Sequence, residues 1–148
     1  MRVRLTVDGE PAELDVAPTD LLLDSLRSLG FSAIKEGCGV GVCGLCSVLV
    51  DEQPVGSCLR LTATCDGTAV LTAAGVARRH PALVAAFCDH EAFQCGICTP
   101  GQLVMASAVL ARSPRPTEEE VRDLMAGSLC RCTGYRTIVE AILAAGGT

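Results

Sequence analysis

The chain has 148 residues, of which 49% are hydrophobic, and a formal net charge of −5. The acidic balance argues against nucleic acid as a partner, and the longest apolar runs are too short for a membrane span. The N-terminus, MRVRLTVDGE, has neither an apolar signal core nor a twin-arginine motif. We therefore expect a cytoplasmic protein whose ten cysteines do not form disulfides.

The beginning of the chain predicts a β-hairpin. Apolar and polar residues alternate over residues 2–7, and the alternation resumes over residues 12–16. Between the two runs, Asp8 and Gly9 form a dipeptide that is typical of a two-residue hairpin turn.

One helix and two further strands are predicted next. Residues 20–28 have apolar side chains at helical spacing, Thr19 or Asp20 is the expected N-cap, and Gly30 is a stop signal. Short strands are predicted at residues 47–50 and 69–71. A mixed sheet over one helix, with a long cysteine loop inserted, is the organisation of a β-grasp ferredoxin.

The inserted loop carries a first quartet of cysteines. Their spacing is C-x4-C-x2-C, with a fourth cysteine after eleven further residues, which is the plant-type ligand pattern for a 2Fe-2S cluster. Neighbouring glycines allow the loop to wrap closely and to aim backbone N–H groups at the sulfurs. The first quartet consists of Cys38, Cys43, Cys46 and Cys58.

The second half of the chain has the 3.6-residue period of helices. Four helices are predicted, at residues 81–88, 100–111, 117–127 and 135–145. Thr99 is the expected N-cap of the second, Thr117 and Glu120 form a capping box for the third, and Ile138 and Ile142 face inward in the fourth. Four helices of this size suggest a small bundle.

A second quartet of cysteines lies at the loops and ends of these helices. Its spacing is C-x2-C, then a gap of thirty-one residues, then C-x-C, and its members are Cys95, Cys98, Cys130 and Cys132. The chain is therefore predicted to be α+β, with a β-grasp 2Fe-2S domain over residues 1–73 and a four-helix 2Fe-2S-binding domain over residues 74–148.

Zinc and disulfides are the alternative uses of these cysteines. Structural zinc favours two short C-x2-C knuckles, which the second quartet resembles loosely, but the first quartet has an iron-sulfur spacing. Disulfides require an oxidising compartment, for which the N-terminus gives no indication.

Three segments resemble the iron-sulfur subunit of the molybdenum hydroxylases, the xanthine oxidase family. GCGVGVCGLCSVLVDEQPVGSCL is similar to the plant-type loop of that family, and QCGICTPGQ and LCRCTGYRTIVEAI are similar to its helical cluster motif. The departures remove no ligand. They are Leu45, Ser47, Glu52, which stands where a turn glycine is usual, and Ile97.

The resemblance implies an electron-transfer subunit. A large subunit would hold a molybdopterin cofactor and oxidise substrate, so no catalytic residue is expected on this chain. Electrons would pass from the second quartet to the first, then to FAD on a medium subunit or to an external acceptor. Gln94 and Cys132 match positions beside the pterin, and the implied assembly is a dimer of heterotrimers.

The remaining cysteines and the histidines are expected to have structural roles. Cys65 and Cys88 belong to neither quartet and are predicted to be packing residues, and His80 and His90 are predicted to be structural or solvated. An independent two-cluster ferredoxin and a zinc-binding structural module are the two competing functions.

Overall fold

The computed structural model describes residues 1–147, and Thr148, the last residue of the expected helical domain, lies outside the described residues. In chain order the elements are β1 (Arg2–Val7), β2 (Glu10–Asp15), α1 (Leu22–Ser28), β3 (Ser47–Val50), β4 (Gln53–Gly56), a 3-10 helix (Thr62–Cys65), β5 (Ala69–Leu71), α2 (Ala73–Arg79), α3 (Pro81–Asp89), α4 (Thr99–Arg112), α5 (Glu118–Leu124) and α6 (Arg136–Gly146). This order confirms the predicted α+β class, with a sheet first and helices after it.

The five strands form one mixed sheet in the order β2-β1-β5-β3-β4. β1 and β5 are parallel, whereas the other neighbours are antiparallel. The predicted hairpin is confirmed, since Asp8 and Gly9 have φ values of 55° and 92° and join β1 to β2. The buried face of β1 shares a hydrophobic core with α1, whose Leu22 and Leu26 are fully buried.

β4, the last strand of the sheet, is not among the strands that the sequence predicted. Its residues are exposed or half-buried, so they lack the alternation of apolar and polar side chains that marks a half-buried strand. The turn before it places Asp51 and Glu52 at positive φ, 47° and 66°. Glu52 thus adopts the backbone conformation for which glycine is usual, and its carboxylate pairs with Arg79 at 2.7 Å.

The predicted start of α1 is wrong by two residues. The helix begins at Leu22 with Leu21 as N-cap and no side-chain cap. Asp20 instead accepts a hydrogen bond from the backbone N–H of Ala17, and Leu21 is held in an extended conformation by a bridge to Leu61. A tertiary contact therefore delays the start of the helix.

The four helices expected in the second half are present within the described residues, and an additional one, α2, precedes them. α2 has only seven residues and contains Gly75, a poor helix former. Gly75 is required there because a Cβ atom would collide with the Asp8 carboxylate. The N-cap of α2, Thr72, donates both its N–H and its hydroxyl to Asp8 at 2.7 Å.

The other helix ends follow the sequence closely. The capping box of Thr117 and Glu120 is confirmed, as is the burial of Ile138 and Ile142. Thr99 is the first residue of α4 and not its N-cap, which is Cys98. That position is constrained by the second quartet, so the cysteine occupies the place a capping side chain would take.

The two halves have separate hydrophobic cores that meet at β3. Val48 and Val50 belong to the core of the sheet, while Leu49 points into the helical core. α4 packs against β3 and β4. Among residues 1–147, no helix combines the length and apolar character needed to cross a membrane.

Candidate iron-sulfur centres

The first quartet lies in the loop between α1 and β3, with its fourth member just after β4. Backbone N–H groups of Val40 and Val42 donate to Cys38 Sγ at 3.4 and 3.3 Å. Together with the N–H of Cys43, these bonds lower the pKa of Cys38 to about 6, because they stabilise the thiolate. The loop is therefore built to favour negative charge on sulfur.

Glycines shape this loop as expected, but the donors to Cys38 are not their own N–H groups. Gly39 and Gly41 have φ values of 65° and 76°, and these left-handed positions alternate with the valines whose N–H groups turn toward Cys38. At Gly37, a Cβ atom would lie 2.9 Å from Cys43 Sγ. The space around the sulfurs thus depends on the absence of a side chain.

The four thiols of the first quartet form an outer and an inner pair. Cys38 and Cys43 are half-buried, and the Cys43 thiol adds to the backbone donors in lowering the pKa of Cys38. Cys46 and Cys58 are buried. Burial, followed by the interaction with Cys46, raises the pKa of Cys58 to about 11.

The second quartet shows the same arrangement. Its outer pair, Cys95 and Cys132, is exposed, and the two Sγ atoms are 3.6 Å apart. That is far longer than a disulfide bond of about 2.05 Å, and close to the ~3.8 Å that separates two thiolates bound tetrahedrally to one metal at about 2.3 Å. None of the ten cysteines, all of which lie in the described part of the chain, forms a disulfide.

The inner pair of the second quartet is buried between the start of α4 and the loop before α6. Burial, then the interaction with Cys130, raises the pKa of Cys98 to about 12. Burial also raises the pKa of Cys130, but donors from Thr133 and Cys132 outweigh it, so the net pKa is lowered. The Thr133 hydroxyl donates to Cys130 Sγ at 3.2 Å, and the Cys130 N–H donates to Tyr135 Oη at 3.1 Å.

Pairing in twos is the geometry that a binuclear cluster requires, because each of its two irons takes two protein ligands. Within residues 1–147, no group of three or more ligating side chains is placed to hold a single ion. The donor set, its pairing and the glycine-shaped space at Cys43 fit a 2Fe-2S cluster in each quartet.

The structure also brings together the two residues predicted to lie beside a pterin. Gln94 is exposed, and its Nε2 donates to the carbonyl of Cys132 at 3.0 Å. Four large side chains close in sequence to the cysteines of the second quartet are exposed: Phe93, Ile97, Leu129 and Tyr135.

The loops of the two quartets touch directly. The backbone N–H of Leu129, next to Cys130, donates to the carbonyl of Cys43 at 2.9 Å. Gly44 makes this approach possible: its φ is 72°, and a Cβ atom would lie 2.5 Å from the carbonyl oxygen of Gly127. One hydrogen bond therefore connects a residue of the first quartet to the neighbour of a residue of the second.

Sequence reasoning missed several residues that support the second quartet. Thr133 and Tyr135 lie in LCRCTGY, so their closeness to two cysteines was a signal that they contact the sulfurs or their backbone. Gln102 lies in QCGICTPGQ, but nothing in the sequence indicates its partner, the Ser128 carbonyl in the loop before Cys130. Cys65 is fully buried, as predicted, but the prediction for Cys88 is wrong: it follows the buried Phe87 on α3 and falls on the exposed side of that helix.

Comparison with known proteins identifies the family. The model of the "2Fe-2S iron-sulfur cluster binding domain" matches residues 5–65, and that of the "[2Fe-2S] binding domain" matches residues 72–143. The nicotinate dehydrogenase small FeS subunit of Eubacterium barkeri is 40% identical over 143 residues, which cover 95% of this chain and 91% of that protein. The xanthine dehydrogenase iron-sulfur-binding subunit of Escherichia coli O157:H7 is also 40% identical, with coverage of 95% and 91%. The chain belongs to the iron-sulfur subunits of the molybdenum hydroxylases.

Solved structures agree with this membership. Quinoline 2-oxidoreductase from Pseudomonas putida 86 contains a chain that matches with a TM-score of 0.93 at 42% identity, covering 99% of this chain and 94% of that one. The aldehyde oxidoreductase from Desulfovibrio desulfuricans ATCC 27774 matches with a TM-score of 0.92 at 39% identity, but this chain covers only 17% of it. As a molybdenum hydroxylase iron-sulfur subunit, the chain has two 2Fe-2S domains and serves electron transfer within an oxidoreductase, as the sequence predicted.

Proposed function

We propose that the chain conducts electrons between two partner subunits through the two quartets. In this proposal the first domain, residues 1–73, holds one 2Fe-2S cluster with Cys38, Cys43, Cys46 and Cys58. The second domain, residues 74–148, holds the other with Cys95, Cys98, Cys130 and Cys132. When bound, each cluster supplies a one-electron carrier.

The observation that carries the proposal is the hydrogen bond from the Leu129 N–H to the Cys43 carbonyl. It joins the loop of the first quartet to the residue before Cys130, so a path of covalent bonds and one hydrogen bond connects the quartets through the backbone of residues 129–130. The protein contributes the thiolates, the N–H groups that stabilise them, and the buried surroundings that exclude water from the inner pairs.

We propose that the exposed end of the second quartet faces the molybdopterin on a large subunit. Gln94 and Cys132 lie together there, and the side chain of Gln94 is exposed. The Gln94 carboxamide can offer hydrogen bonds to a pterin while its Nε2 also holds the Cys132 carbonyl. The exposed Phe93 and Ile97 beside it are apolar surface of the kind that partners cover.

We propose that a medium FAD-binding subunit accepts electrons at the first quartet. Three apolar side chains at its outer pair are largely exposed, Val40, Val42 and Leu59, with exposed fractions of 65%, 61% and 62%. Two apolar surfaces, one beside each quartet, support two different docking partners. A dimer of heterotrimers is the assembly that the family resemblance suggests.

The test begins with native protein purified without oxygen, on which iron, acid-labile sulfide and EPR after dithionite reduction are measured. We expect about four irons, about four sulfides and two reduced signals per chain, together with a copurifying large subunit. C43S should abolish one signal and C98S the other, because each removes one predicted ligand. C88S is the matched control, since Cys88 is exposed and outside both quartets.

Two results would contradict the proposal. Zinc without sulfide would show that the quartets bind single ions. A protein with both clusters that is isolated from its native host without any partner, and that docks reversibly to a reductase, would be an independent ferredoxin.

A further inference from the structure

The loop between α5 and Cys130 accepts a hydrogen bond from one buried side chain, Gln102 of α4. Gln102 is only 2% exposed, and its Nε2 donates to the Ser128 carbonyl at 2.9 Å. The next residue, Leu129, donates to the Cys43 carbonyl, and the residue after it is Cys130. We propose that Gln102 is a positioning residue for electron transfer between the two quartets, an inference that rests on the proposed function.

Packing alone does not account for a glutamine at this position. Its Oε1 is buried and has no hydrogen-bond partner among the described residues. A buried polar atom without a partner is destabilising, and methionine would fill a similar volume without that cost. What the amide adds over methionine is the bond to Ser128, so its role lies in fixing that loop.

The position of the loop matters because it makes two contacts at once. It places the Leu129 N–H against the Cys43 carbonyl, and it sets Cys130 against Cys98, whose backbone carbonyl accepts the Gln102 N–H at 3.0 Å. Gly44 leaves no side chain between the two loops. A loop that moved by a few tenths of an ångström would lengthen the single hydrogen bond on the path.

The transfer itself makes and breaks no covalent bond. With a cluster bound in each quartet, one electron would leave the centre held by the second quartet, which would be oxidised, and that electron would reduce the centre held by the first quartet. We expect the Gln102 amide to affect how fast this exchange occurs and not whether either cluster binds.

The test uses the assembled enzyme with three measurements: iron and sulfide per chain, amide hydrogen exchange at residues 126–130, and rapid-freeze EPR after mixing with less than one reducing equivalent. In Q102M we expect both clusters to remain, exchange at Leu129 to accelerate, and equilibration of the electron between the two reduced signals to slow. S107A is the matched control, because Ser107 is buried on the same helix and bonds only to Val104 within it.

A second pair of variants tests the same path at Leu129, whose N–H donates to the Cys43 carbonyl. L129P removes the N–H donor, whereas L129A keeps it and is the reference for L129P. L129P should slow equilibration relative to L129A, and adding Q102M to L129P should cause little further slowing, because both changes act on one contact.

Several outcomes would overturn the inference. If Q102M equilibrates as fast as S107A, Gln102 is a packing residue, and the proposed function is unaffected. If Q102M loses the second cluster, Gln102 is needed to hold the Cys98–Cys130 pair and not to position the path. If the unmodified enzyme holds fewer than two clusters, the proposed function fails first.

Discussion

Replacement of Asp8 tests how firmly the helical domain is attached to the sheet. The carboxylate is 5% exposed and accepts two hydrogen bonds of 2.7 Å from Thr72, the N-cap of α2. Hydrogen bonds to a charged group are worth about 1.5–3 kcal/mol each, so the two sum to ~3–6 kcal/mol before the cost of burying the charge is subtracted. We therefore expect D8A to lower the free energy of opening α2 by about 3–5 kcal/mol.

Native-state amide hydrogen exchange over residues 73–79 measures that free energy, since local opening exposes these N–H groups without global unfolding. D66A is the matched control: Asp66 also accepts a backbone N–H, from Arg4 at 2.8 Å, but it is exposed. We expect D66A to lower the free energy of local opening by about 0.5–1 kcal/mol around residue 66 and to leave that of α2 unchanged. If D8A changes exchange in α2 no more than D66A does, the buried carboxylate does not anchor the helix and the reasoning is refuted.

Two further predictions concern the cysteine loops. G44A should destabilise the protein by several kcal/mol more than G67A. Both glycines have positive φ (72° and 76°), so alanine costs about 1–2 kcal/mol at either position. Only at Gly44 would the added Cβ meet backbone, 2.5 Å from the Gly127 carbonyl oxygen. The stabilities of the two variants are compared by their denaturant midpoints. Equal midpoints would mean that the two cysteine loops can move apart at Gly44 without loss of stability. After iron is removed, the alkylation rate of Cys38 should rise as pH passes through about 6 and then level off, whereas that of Cys58 should still be rising toward pH 11. Mass spectrometry of alkylated peptides follows both rates, and parallel pH profiles would show that the N–H groups of the loop do not stabilise the Cys38 thiolate.

The sequence by itself determined those features that arise within a few residues. The Asp8-Gly9 turn, the capping box of Thr117 and Glu120, and the inward face of α6 are all local, because backbone preference and helical spacing decide them. The family was also recognisable, since cluster ligands lie at short spacings that the chain must keep for one loop to surround a metal centre.

Tertiary structure decided how these parts meet. The grouping of each quartet into an exposed or half-buried outer pair and a buried inner pair depends on residues up to thirty-seven positions apart, as for Cys95 and Cys132. The additional helix α2 depends on Asp8 from the opposite end of the first domain, and the exposure of Cys88 depends on which side of α3 the bundle covers. The contact between Leu129 and Cys43, and its support by Gln102, has no local signature, because the partners are brought together only when the two domains pack.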